Sequence, residues 1–189
     1  MRTFNYPSEL SVAFSGHRLV PRVLRKQVKN LLVKEIENAY NMGYRYFLCG
    51  MAMGFDLMAA EAALSLKSRL KELKLIAVIP HPDQTRLWDE KDKELYNKVL
   101  KKANRRILLS DSYSRDSLLK RNDYLLENSS LLIAFYNGNK RGGTYYTYRR
   151  ALRKLIDILA VKFKFHDSFG FKIEFNSIIE PTFADKLSN

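Results

Sequence analysis

Six short apolar runs, separated by stretches with helical spacing, constrain the fold of this chain more than any other feature. They are SVAFSG (11–16), YRYFLCG (44–50), LKLIAVIPH (73–81), RRILLSD (105–111), SLLIAFYNG (130–138) and IDILAVKF (156–163). Each run is continuous rather than alternating, the pattern expected of strands buried on both faces of a parallel sheet. Leu24, Val28, Leu31, Leu32, Ile36 and Ala39 trace an apolar helical stripe between the first two runs, and Gly43 supplies its C-terminal stop. Leu57, Ala60, Ala63 and Leu64 form a second stripe; Trp88, Leu95, Val99 and Ala103 a third. Leu118, Leu119, Leu125 and Leu126 form a fourth; Tyr148, Ala151, Leu152 and Leu155 a fifth. This alternation predicts an α/β fold, a doubly wound and mainly parallel sheet of about six strands with helices on both faces. The segment 164–189 breaks the rhythm: its alternation around Ser168-Phe169-Gly170 suits a hairpin, and a tail packed across the domain is the alternative.

With 189 residues and no linker, repeat or low-complexity stretch, one domain spanning 1–189 is expected. No run approaches the ~20 apolar residues needed to cross a bilayer, so no membrane partner is expected. The N-terminus lacks the apolar core of a signal peptide. A single cysteine, Cys49, suits a reducing cytoplasm and reads as a small buried hydrophobe. Thirty-three Lys and Arg against twenty Asp and Glu give a net charge of +13. Such a field attracts polyanions, which brings nucleic acid into view. The cations are nevertheless spread over presumed solvent faces, as in Arg149, Arg150, Arg153 and Lys154, where solubility is the simpler explanation.

Ligands of open parallel sheets bind beyond the carboxyl ends of the strands, near the reversal of strand order. That edge collects Ser15-Gly16-His17-Arg18, the stretch from Gly50 to Asp56, Pro80-His81-Pro82, and the loop Asn137 to Thr144. Gly50 and Gly54 supply either a tight turn or the close approach of a ligand to the backbone. A helix beginning near Phe55 or Asp56 presents unpaired N–H groups and the positive end of its dipole. Gly142-Gly143-Thr144 repeats the arrangement, with Thr144 as the expected N-cap, and two helix N-termini facing one crevice suit phosphate. His17 is either a hydrogen-bonded packing residue or, with Arg18, an anion donor. No histidine has metal-ligand spacing, so no metal is expected. The G-x-G-x-x-G fingerprint, the P-loop lysine and the G-x-S-x-G elbow are all missing from the sequence.

The set Ser15-Gly16-His17-Arg18, Gly50-x-x-x-Gly54-x-Asp56 and Ala59-Ala60-Glu61 resembles the YpsA-like proteins of the SLOG superfamily. Pro80, Gln84, Trp88 and Tyr96 fit that family's Pro…Gln…Trp…Tyr stretch, Arg121-Asn122 its Arg-Asn pair, and Gly142-Gly143-Thr144 its Gly-Gly-Thr turn. The likeness runs from about residue 10 to 163. It implies a Rossmann-like domain that binds a nucleotide or nucleotide-derived ligand. Related "lonely guy" enzymes, which cut the N-glycosidic bond of nucleoside monophosphates, carry a glutamate after the glycine turn. Here Tyr145, Tyr146, Thr147 and Tyr148 follow Thr144, which argues against that hydrolase. Where YpsA-like proteins tend to carry Asp before the fifth strand, this chain has Glu127 and Ser130 nearby. DprA-like relatives bind DNA and keep nucleic acid as an alternative partner.

The expected function is a cytoplasmic binding or sensing domain for a small phosphorylated nucleoside. Gly142, Gly143 and Thr144 would hold phosphate, Arg18 would add a charge-assisted contact, and Asp56 would cap its helix or accept from a ribose hydroxyl. Trp88 or Tyr145 would stack on a base unless committed to the core. A hydrolase is the first alternative, with Asp56 and Glu61 as its candidate carboxylates, although five residues of helix put them about 140° apart. A nucleic-acid binder is the second alternative. A homo-oligomer is compatible with the sequence.

Overall fold

The strand that opens the chain becomes the middle of the sheet. In the computed structural model, which describes residues 6–162 and 176–180, β1 (Ser11–Gly16) pairs in parallel with both β2 (Tyr46–Cys49) and β5 (Leu131–Tyr136). β3 (Lys74–Ile79) and β4 (Arg105–Leu108) continue beyond β2, and β6 (Asp157–Lys162) beyond β5. The order is β4-β3-β2-β1-β5-β6-β7, where β7 (Asn176–Glu180) is an antiparallel edge on β6. Six strands are therefore parallel, as the continuous apolar runs predict. The predicted turn at Ser168-Phe169-Gly170 lies outside the described residues, and β7 starts at the end of the segment expected as its second arm.

Alternate residues of each buried strand serve two different cores. Val12, Phe14, Phe47, Cys49, Leu75, Ala77, Ile133 and Phe135 pack against α1 (Arg25–Asn41), α2 (Phe55–Leu66) and α3 (Glu90–Lys102). Ala13, Leu48, Ile76, Val78, Leu132, Ala134 and Tyr136 pack against α4 (Ser117–Glu127) and α5 (Gly142–Arg153). The division follows from right-handed crossovers: travel from β1 toward β4 puts helices on one face, and the return to β5 puts them on the other. α2 sits between α1 and α3 with eight of its 12 residues buried, which its alanines Ala59, Ala60, Ala62 and Ala63 permit. Gly43 follows α1 with φ +102°, the left-handed stop that its position predicts.

Three expectations shift. β4 is an edge strand with alternating burial, and it ends at Leu108 rather than continuing to residue 111. Leu24 lies in a 3-10 turn, Arg22–Leu24, ahead of α1. Trp88 precedes α3, because Asp89 caps that helix by accepting from the Asp92 N–H at 2.8 Å.

Candidate functional site at the switch point

Strand order reverses between β1 and β5, so the loops leaving these two strands diverge and open a crevice. A cavity of about 370 Å3 occupies it. Its walls are Ser15 to Arg18 at the end of β1, Ala52 and Asp56 around the start of α2, Arg115, Leu118, Leu119, Arg121 and Asn122 at and before α4, and Arg141 to Thr144 at α5. Of the residues anticipated as ligand-binding, Ser15, Gly16, His17, Arg18, Asp56, Arg121, Asn122, Gly142, Gly143 and Thr144 all line this one space.

The floor is a buried ion pair. Arg121 and Asp56, 5% and 4% exposed, approach at 3.8 Å. Arg121 Nη1 also donates to the Gly50 carbonyl, and its Nε donates to Asn122 Oδ1 at 2.8 Å. The Asp56 carboxylate accepts from the Ala52 N–H at 3.3 Å rather than capping α2. Burial pushes the Asp56 carboxyl up to about 6, against the opposing pull of Arg121, the Ala52 N–H, Arg18 and the Gly16 N–H. Burial likewise lowers the Arg121 guanidinium, and burial together with the Asp56 charge raises the Cys49 thiol.

This floor explains the two glycines of the β2–α2 loop, and the explanation differs from ligand approach. A Cβ on Gly50 would meet the Arg121 side chain, with Cδ at 2.7 Å and Cζ at 2.8 Å. Gly54, at φ +75° and ψ −117°, would drive a Cβ into the Arg18 carbonyl and to within 2.8 Å of the His17 carbonyl oxygen. The following residue, Phe55, donates its N–H to that same His17 carbonyl at 3.2 Å. Gly54 thus lets the start of α2 seat on the loop that carries His17 and Arg18, and Gly50 makes room for Arg121. Neither lines the cavity.

His17 links the loops that follow β1 and β5. Its Nε2 accepts from the Asn137 N–H at 3.1 Å, and its ring stacks on Tyr136 at 6.1 Å. Burial lowers its pKa, favouring the neutral ring that such an acceptor requires. The Nε2 atom is therefore committed as an acceptor, not as a donor to an anion. Thr144 is not the N-cap: α5 begins at Gly142, whose φ of +83° suits glycine, with Arg141 preceding it and no side-chain cap. Gly142, Gly143 and Thr144 are consequently the first turn, whose N–H groups lack intrahelical acceptors.

Glu61 stands apart from Asp56, beside a different cavity and 3.9 Å from Lys98. Tyr145 packs against Tyr136 at 6.2 Å, under the Arg149 guanidinium, and lines neither the switch-point cavity nor its neighbour. Trp88 lines that neighbour, a second cavity of about 560 Å3 that shares Arg18, Ala52, Leu118 and Arg121 with the first. Half of the basic cluster on α5 is already neutralised: Arg150 pairs with Asp123 at 2.7 Å and Lys154 with Glu127 at 3.5 Å.

One wall residue, Arg115, and one strained residue behind the wall, Met51, were not anticipated from the sequence. Arg115 sits in the loop after β4, and the rule that ligands bind beyond the carboxyl ends of the strands reaches it there. Met51 adopts φ +57° while fully buried, and no residue-type signal marks a methionine for that conformation. Among the described residues, no group of His, Cys, Asp and Glu could hold a metal ion, and no helix is long and apolar enough to cross a membrane.

Known proteins resemble this chain in sequence or in fold. The chain is 28% identical to the UPF0398 protein YpsA of Bacillus subtilis strain 168 over 125 residues, covering 65% of this chain and 67% of that one. It is 25% identical to a UPF0398 protein of Bacillus cereus strain ATCC 14579 over 150 residues, covering 78% and 79%. The SPbeta prophage-derived protein YoqJ of Bacillus subtilis strain 168 is 26% identical over 129 residues, covering 61% and 75%. Among solved structures, DNA processing protein A from Helicobacter pylori, described for its single-stranded DNA binding mode, superposes with a TM-score of 0.60 at 16% identity. That match covers 96% of this chain and 73% of the other, and it speaks to the fold. The model described as the YspA SLOG family matches residues 8–163, and the chain belongs to this YpsA family.

Proposed function

We propose that the switch-point cavity binds the phosphate of a nucleotide or nucleotide-derived ligand, and that the protein is a binding or sensing domain rather than a hydrolase. One observation carries this reading: the uncapped first turn of α5 opens into a cavity rimmed by the exposed cations Arg18, Arg115 and Arg141. Unpaired N–H groups and a helix dipole favour an anion there, and guanidinium groups suit phosphate oxygens in particular. Asp56 and Arg121 neutralise each other in the floor, so the net field of the lining is positive. Hydrolysis by paired carboxylates is disfavoured because Glu61 lies at another cavity.

Calorimetric titration of the folded protein against a panel of mononucleotides, dinucleotides and ADP-ribose tests the proposal. Binding that weakens in Arg141→Ala supports it; silence from the whole panel at millimolar concentration sinks it. Single-stranded DNA is the second reading, favoured by the net charge of +13 and by the fold shared with the Helicobacter pylori protein. Under that reading the same arginines contact successive phosphates, and affinity falls steeply with salt.

A further inference from the structure

Two residues that line the second cavity each carry a buried polar atom without a hydrogen-bond partner among the described residues. His81 is 5% exposed, yet its Nδ1 is buried and makes no hydrogen bond among the described residues. Gln84 Oε1 is buried and unpartnered in the same way. Its orientation is not free to change, because Gln84 Nε2 donates to the carbonyl of Met51. That carbonyl is held in place by the left-handed backbone of Met51, so the Gln84 oxygen is presented as a fixed acceptor. Buried polar atoms without partners are uncommon in native folds, because each forfeits its hydration for nothing in return. Both of these residues line the cavity of about 560 Å3, together with the ring of Trp88 and, at its mouth, Tyr113. Tyr113 is 62% exposed and meets the His81 ring edge-on at 5.2 Å; Trp88 is braced edge-on by Tyr96 at 5.6 Å.

We infer that this cavity is a nucleobase subsite, in which Gln84 and His81 read an exocyclic amine and the ring nitrogen beside it. The assignment rests on the phosphate site proposed above, since the two cavities share Arg18, Ala52, Leu118 and Arg121 and one ligand can span them. Gln84 Oε1 can only accept, so it calls for an N–H donor on the ligand. His81 Nδ1 can donate, and an adjacent ring nitrogen would accept from it. An amine next to an accepting ring nitrogen is the edge that adenine presents, and cytosine presents the same pair. Replacing that amine by a carbonyl turns both positions around: a carbonyl would face the Gln84 oxygen, and an N–H would replace the ring acceptor. Trp88 and Tyr113 supply apolar surface for the rest of the base.

Trp88 is the only tryptophan in the chain, so its fluorescence reports occupancy of this cavity directly. Wild-type protein is titrated with AMP, with IMP, which differs by exactly that amine-to-carbonyl exchange, and with ribose 5-phosphate, which has no base; calorimetry runs in parallel. AMP is expected to quench the fluorescence and bind about ten- to a hundredfold more tightly than IMP, the penalty for burying mismatched polar groups. Ribose 5-phosphate should bind by calorimetry without quenching. His81→Phe, which keeps the ring and removes the nitrogens, should bring AMP close to the affinity of IMP. Equal calorimetric affinities for all three probes would overturn the base subsite while leaving the phosphate site standing. Heat from none of them would overturn both. The comparison of AMP with IMP on the wild type decides the matter even where the variant folds poorly.

Discussion

Replacing Gly54 by alanine should damage the fold before it damages any ligand contact. At φ +75° and ψ −117° the residue occupies a region that side chains rarely adopt, a cost of about 1–3 kcal/mol. The added Cβ would also press on two backbone carbonyls, those of Arg18 and His17, which cannot swing away as a side chain would. Forcing such a contact adds roughly 1–3 kcal/mol. The sum, about 2–6 kcal/mol, is a large share of the ~5–15 kcal/mol that holds a domain together. For a domain of this size it corresponds to a melting temperature lower by roughly 4–24 °C. Two other glycines calibrate the reading. Gly142 has φ +83° but open space around its Cβ position, so Gly142→Ala should lose only the conformational part, about 1 kcal/mol. Gly143 lacks a positive φ and would meet only Asn122 Nδ2 at 3.6 Å, so Gly143→Ala should melt like the wild type. Thermal melts followed by circular dichroism give the order directly. A Gly54→Ala variant that melts within a degree of wild type would refute the seating of α2 on the His17–Arg18 loop.

Asp56 makes a pH prediction with a definite sign. Its carboxyl stands near 6 in the fold against 3.8 ordinarily, so the native state holds the extra proton between those values. Its contribution to stability is complete below 3.8 and is lost as pH rises through 6, and the stability of wild type relative to Asp56→Asn should fall between pH 4 and 7 in urea titrations. A relative stability that rises with pH would instead mean that Arg121 keeps the carboxylate ionised throughout. Arg121→Met should cost about 3–5 kcal/mol by stranding Asp56 and the Gly50 carbonyl, and adding Asp56→Asn should restore part of the loss; chemical denaturation of the three variants checks this. If single-stranded DNA binds, Arg115→Ala and Arg141→Ala should each reduce the salt slope of log affinity by about one in filter binding, whereas Arg150→Ala, already paired with Asp123, should change it little.

The parallel sheet and the edge on which the crevice opens were legible in the sequence because they follow from local rules. Continuous apolar runs leave a strand nowhere to go but the middle of a sandwich of helices, and the reversal of strand order then opens a crevice at a known edge. Ser15 to Arg18 and Gly142 to Thr144 could be assigned to that edge from their place after β1 and β5 alone. The purposes of Gly50 and Gly54 could not. A glycine records that something comes close to the backbone, and only the packing of α2 against β1 and of α4 beneath β2 shows that the visitor is Arg18 in one case and Arg121 in the other. The division of the carboxylates was legible, by contrast, since five positions of helix set Asp56 and Glu61 about 140° apart, and they do face different cavities. Tertiary structure also decided which arginines remain available. Arg121 is spent in the floor and Arg150 on Asp123, while Arg18, Arg115 and Arg141, drawn from three separate loops, converge on one rim. Charge composition counts cations without regard to partners, and it is the partners, brought together by the crossovers of the sheet, that determine where the positive field lies.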